Sequence, residues 1–128
     1  MEHKISYDPK TDIVHLDIIG PVMRDDAGEL VDALEKNAKK GETNLLLADL
    51  TQTPSMNMDR DTRRFIQEKG KSIYYNRMAV VGASPITRML AKIVMGVIGR
   101  PETLKFFASK DEAVHWLKGV NEGSASTL

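Results

Sequence analysis

The chain has 128 residues, with 18 Lys plus Arg balanced by 18 Asp plus Glu. That is enough for one domain around a single core, and it lacks the basic excess of a dedicated nucleic-acid binder. Cysteine is absent, which excludes disulfides, thiolate metal sites and a cysteine nucleophile.

MEHKISYD at the start is too polar for a secretory signal, so a cytoplasmic location is expected. HKISYDPKTDIVHLDIIG predicts a hairpin: Ile5 and Tyr7 alternate with Lys4 and Ser6, and DPKTD supplies the turn, with Pro9 fixing its own φ. Val14, Leu16 and Ile18 line one face of the second strand, while His15 and Asp17 share the other. DDAGELVDALEKNAKKG predicts a helix opened by a capping box from Asp26 to Glu29. Leu30, Val31, Leu34 and Ala38 recur at helical intervals, and Lys36, Lys39, Lys40 and Gly41 suit its end. NLLLADL predicts a strand buried on both faces.

After the loop TQTPSMNM, DRDTRRFIQEKGKSIYY predicts a second helix with Thr62, Phe65, Ile66, Lys69 and Ile73 on one face. Gly70 weakens it by about 1 kcal/mol relative to alanine. RMAVVG is a second buried strand, and Ser84 caps the helix that Pro85 opens. TLKFFAS predicts a third central strand. Ser109 and Glu112 then form a capping box for KDEAVHWLKG, in which Ala113, Val114, Trp116, Leu117 and Val120 face inward. NEGSASTL reads as a polar, disordered tail. The order β-β-α-β-α-β-α-β-α predicts an α/β domain with a mixed, mostly parallel five-stranded sheet, an N-terminal antiparallel hairpin and four helices. The domain spans residues 1–120 and the tail 121–128.

LLLADLT, RMAVVG and LKFFASKDEAVHWLKG carry a resemblance to the STAS domain, and within it to the SpoIIAA-like family. The last of the three is the most specific, with a helix reading Glu-Ala-x-x-Trp-Leu from Glu112 to Leu117. The resemblance covers about residues 2 to 120 and rests mostly on core and capping positions. It implies a non-enzymatic binding or regulatory module acting through protein contacts. SEC14-like kinship implies a second reading, an apolar-ligand or membrane-surface binder. The chain departs from STAS antagonists that carry a phosphorylatable Ser at the start of the second helix. Here that position falls near Met58 or Asp59, with Ser55 and Thr62 out of register. Phosphate switching of that kind is not expected, and Asp59 is read as an N-cap.

Three constellations have chemical readings. GASPI, Gly82 to Ile86, partly matches a nucleophile elbow, but Ile86 replaces the final glycine and His115, the one candidate base, has no orienting acid. Ser84 as a helix cap explains the same residues, and no catalytic residue is assigned. His3, His15 and Asp17 would make a weak metal set on the hairpin; solvated side chains are the simpler reading, so no metal and no cofactor are expected. TQTPSMNM lies at the carboxyl end of a buried strand, where open α/β sheets bind ligands. Thr51, Gln52, Met56, Met58 and Ser84 are the candidate ligand-binding residues.

SPITRMLAKIVMGVIGRP is the most apolar stretch. As a helix from Ile86 to Ile98 it would be about 20 Å long at 1.5 Å per residue, too short for a membrane span of about 20 residues. Its apolar arc covers about half the circumference, whereas a helix lying on a sheet needs only about 100°. The surplus predicts a cover. Met89, Ile93, Val94 and Val97, flanked by Arg88 and Lys92, are the candidate interface. The candidate covers are a second copy of the chain in a homodimer, a protein partner, a lipid or membrane surface, or neighbouring residues that enclose an apolar cavity.

Overall fold

A computed structural model of the chain describes residues 2–38, 42–55, 58–73, 75–99 and 101–126. Its first strands, β1 (Lys4–Asp8) and β2 (Ile13–Asp17), form the expected antiparallel hairpin, pairing Lys4 with Asp17 and Asp8 with Ile13. The turn is organised by one carboxylate. Asp8 accepts from the Lys10 N–H and the Thr11 hydroxyl, and its carbonyl accepts from the Asp12 N–H, with Asp12 at φ 59°. An Asx-type turn with a left-handed Asp is a short-range solution that Asp tolerates well.

The chain then alternates α1 (Arg24–Asn37), β3 (Leu45–Asp49), α2 (Arg60–Gly70), β4 (Arg77–Val81), α3 (Pro85–Ile98), β5 (Leu104–Phe107) and α4 (Lys110–Ser126). A 3₁₀ turn at Pro101–Thr103 leads into β5. Strand order is β1-β2-β3-β4-β5, with β2 to β5 parallel. Each crossover from β2 onward moves one strand further in the same direction. Because such crossovers share one hand, α1, α2 and α3 all land on one face of the sheet. α4 follows the edge strand and returns across the opposite face.

Local signals set most helix ends. Asp59 caps α2 by accepting from the Thr62 N–H at 2.8 Å. Ser84 caps α3 by accepting from the Thr87 N–H at 3.3 Å, with Pro85 in the first turn and Gly99 at φ 92° closing it. Ser109 caps α4: its hydroxyl accepts from the Glu112 N–H and donates to the Glu112 carboxylate.

Two expectations differ from the structure. Asp26 is not the cap of α1. The cap is Met23, whose N–H donates to Asp26 Oδ2 at 3.1 Å, so Asp26 is the third helical residue reaching back. TLKFFAS forms an edge strand rather than a central one, because the sequential strand order leaves β5 without an outer neighbour among the described residues. α4 runs from Lys110 to Ser126, and residues 127–128 lie outside the described residues.

The two faces of the sheet hold separate cores. Ile13, Leu45, Leu47, Ala79 and Val81 meet Ala113 and Leu117 of α4, with Phe107, Val114 and Trp116 at the margin. Val14, Leu16, Leu46, Val80 and their neighbours face α1 to α3. Strand alternation alone divides the sheet this way.

Candidate functional site

The face under α1–α3 is incompletely filled. Overlapping voids of about 140, 200 and 250 Å³ lie between the sheet and these helices, and Ile66 of α2 borders all three. The two larger ones share Leu16, Ala48, Met58, Val80, Thr87 and Ala91. The composition of the walls explains the space. β3 contributes the small Ala48 and α3 contributes the small Ala91, where larger side chains would close the layer.

The height of the helical layer is also fixed. Tyr75, 3 % exposed, precedes β4 and donates its hydroxyl to the Leu34 carbonyl of α1 at 2.9 Å. Burial pushes the Tyr75 phenol up from 10.0 to about 12, so it stays a donor through the neutral range.

α3 has two apolar sides with different fates. Leu90, Ala91, Val94 and Met95 line the largest void. Ile86, Met89, Ile93 and Val97 face solvent, at 71, 60, 51 and 51 % exposed. Of the five exposed large apolar residues among those described, these four lie on α3. Their spacing puts them on one stripe. Arg88 and Lys92 are exposed beside it, and both cations lie over the Phe106 ring, at 5.7 and 5.9 Å from its centroid. The Arg88 Nε–H also donates to the Ala83 carbonyl at 3.1 Å. α3 carries no acidic residue.

The carboxyl-end loops pack on one another. Gly82, at φ +79°, touches Thr51 so closely that a Cβ would sit 2.8 Å from Thr51 Cγ2. The Ser84 N–H donates to the Pro54 carbonyl at 2.8 Å, and the Gly20 N–H to the Thr53 hydroxyl at 2.7 Å. Thr51 donates both its N–H and its hydroxyl to Asp49 Oδ1. Burial pushes the Asp49 carboxyl upward. The Thr51 hydrogen bonds and Lys110, 3.6 Å away, outweigh that, and the net pKa is lowered.

The predicted ligand-binding residues therefore separate. Met58 borders the two larger voids. Thr51 and Ser84 are engaged in loop and cap contacts, Gln52 is exposed, and Met56 lies outside the described residues. Of the predicted interface, Met89, Ile93, Val97, Arg88 and Lys92 are exposed, whereas Val94 turns inward to the void.

The hairpin histidines do not converge. His3 is buried, with Nδ1 accepting from the Ile19 N–H at 2.9 Å and Nε2 3.6 Å from Asp26. His15 points to the α4 face with Asp17 by strand parity. No group of three His, Asp or Glu side chains is placed to hold a metal among the described residues. Ser84 and His115 are likewise apart in the fold, since the α4 helix that bears His115 lies across the face opposite α3. No helix is long and apolar enough to cross a membrane among the described residues.

Arg63 was missed from sequence. It borders the largest void from α2, and its one signal was a place on the 63, 66, 70, 73 stripe, whose other members line the void system.

This is an α/β module whose sheet carries three helices on one face and one on the other. The chain belongs to the SpoIIAA-like family, whose model matches residues 13–118. The same fold occurs in an uncharacterised protein of the DUF3478 family with a SpoIIAA-like fold from Shewanella loihica. It is 17 % identical, with a TM-score of 0.67 over 90 % of this chain and 91 % of that one. No curated protein matches the chain. The family is one of binding or regulatory modules.

Proposed function

We propose that this chain is a non-enzymatic binding module that takes an apolar ligand between its sheet and α1–α3. The observation that carries this reading is the void of about 250 Å³ with an almost wholly apolar wall. An apolar cavity of about 150 Å³ in a protein core already admits a small hydrocarbon such as benzene. Unfilled space of this size forfeits dispersion contacts on every side, and a ligand restores them. Met58, Met78 and Met95 on the wall suit an adaptable fit.

The test is native mass spectrometry of the protein, purified without detergent and incubated with a lipid extract of the expression host. A discrete non-covalent adduct, identified as an apolar molecule after denaturation, is the expected result. A spectrum of bare protein under conditions that preserve a control lipid-binding protein's adduct would remove the reading.

A second reading rests on a separate observation, the solvent-facing stripe of Ile86, Met89, Ile93 and Val97. Clustered apolar side chains of this kind serve protein contacts, and the family's coarse role as a regulatory module accommodates that. Its measurement is the oligomeric state and partner binding of Ile93→Asp against wild type. Identical behaviour of the two proteins in every assay would leave the stripe without a role.

A further inference from the structure

The void has one charged residue on its wall. Among the fourteen residues lining it, Arg63 alone is ionised, and Thr87 is the only other polar one. Arg63 is half-buried. Two other cations are half-buried among the described residues, and both are engaged: Arg77 lies 4.7 Å from the Trp116 ring centroid, and Lys118 donates to the Thr11 carbonyl at 2.8 Å. No described hydrogen bond, ion pair or ring engages the Arg63 guanidinium. The wall is almost wholly apolar, so Arg63 lines it with its aliphatic stem and carries the guanidinium to the rim of the void, where an anion can meet it. Its planar donors match a carboxylate or phosphate in a bidentate pair.

Building on the apolar-ligand reading, we infer that the ligand is a single-chain amphiphile with an anionic head. Its chain occupies the void bordered by Ala48, Ile66 and Ala91, and its head pairs with Arg63. The simplest member of the class is a fatty-acid carboxylate. The void is smaller than the roughly 300–1,000 Å³ of pockets for drug-sized ligands, so it suits a medium-length chain, or the end of a longer one. The neutral amphiphile of equal chain length fills the same space and leaves Arg63 unpaired, so it binds less well.

Calorimetric titration of the full chain with decanoate, and separately with decanol, tests this below their aggregation concentrations. Wild type binds decanoate at least tenfold more tightly than decanol. Arg63→Gln lowers decanoate affinity to that of decanol and leaves decanol binding unchanged, which also shows that the variant is folded. Arg63→Lys, which keeps the charge without the planar fork, retains part of the preference. If wild type binds both ligands equally, or Arg63→Gln keeps the preference for decanoate, the anionic-head assignment is wrong while the apolar-ligand reading stands. If neither ligand binds wild type, both are wrong. Should Arg63→Gln lose both ligands, the wild-type preference and the Arg63→Lys response decide the matter.

Discussion

The two faces of one sheet are built from similar residues and reach different densities. On the α4 face, Leu47, Ala79, Ala113 and Leu117 are all fully buried and interlock in a small core. On the other face three helices cover a longer list of apolar residues, yet Ala48 and Ala91 meet across space that nothing fills. A single helix settles into the sheet's groove as closely as its side chains allow. Three helices packed against one another, with α1 pinned through Tyr75, cannot each move inward independently. A layer held at a fixed height with small residues beneath it is a container, and the same sheet supplies both the rigid wall and the container.

The comparison breaks first at the tight face. Leu117→Ala removes a fully buried side chain where nothing can collapse, at a cost of about 2–5 kcal/mol. Leu90→Ala, at the wall of a void that already exists, forfeits fewer contacts and costs less than half as much. Equal losses in urea titrations of the two variants would mean that the faces are packed alike.

Tyr75→Phe sharpens the role of the anchor. It removes one hydrogen bond from the Leu34 carbonyl of α1, which still accepts from the Ala38 N–H at 3.1 Å, for about 0.5–1.5 kcal/mol. Because the folded pKa of Tyr75, about 12, lies above the ordinary 10.0, the folded state holds its proton longer. The Tyr75 contribution is therefore complete below pH 10 and is lost as pH rises towards 12. Wild-type stability should fall more steeply over that window than that of Tyr75→Phe. Parallel alkaline limbs would remove the buried phenol from the account.

The smallest expected effect is on the outer surface of α3. Ile93→Asp should change stability within about 0.5 kcal/mol, as surface substitutions do, because half the residue is already in water. Its consequence is in association alone. A large loss of stability would show that the stripe belongs to the core.

Element order was legible because its signals are local. Ser84-Pro85, Ser109 to Glu112 and the DPKTD turn each act within a few residues, and the apolar run of Leu45 to Leu47 marks a buried strand by itself. Asp26 misled because a carboxylate at a helix start has two uses, as the cap or as the third residue reaching back, and spacing alone does not separate them. The surplus apolar arc of α3 was legible as a quantity. Its division into a void-facing and a solvent-facing side was not, because that depends on how far α3 stands from the sheet. Residues far apart in the chain set that distance: Ala48, Tyr75 with Leu34, and Ala91. Arg63 escaped notice for the same reason, since a charged residue in a helix reads as solvated until the layer beneath it is known.

The most direct measurement enlarges one alanine on each face. Ala79→Leu and Ala48→Leu are chemically the same change, made in adjacent strands of opposite facing. Overpacking a filled core costs about 1–3 kcal/mol, and Ala79→Leu should show it. Ala48→Leu should leave the thermal midpoint of the free protein unchanged or raised, and should abolish the rise that decanol produces in wild type by binding the folded state. Equal destabilisation by the two substitutions, with no decanol-induced rise in wild type, would contradict the claim that this face of the sheet holds a ligand-sized space.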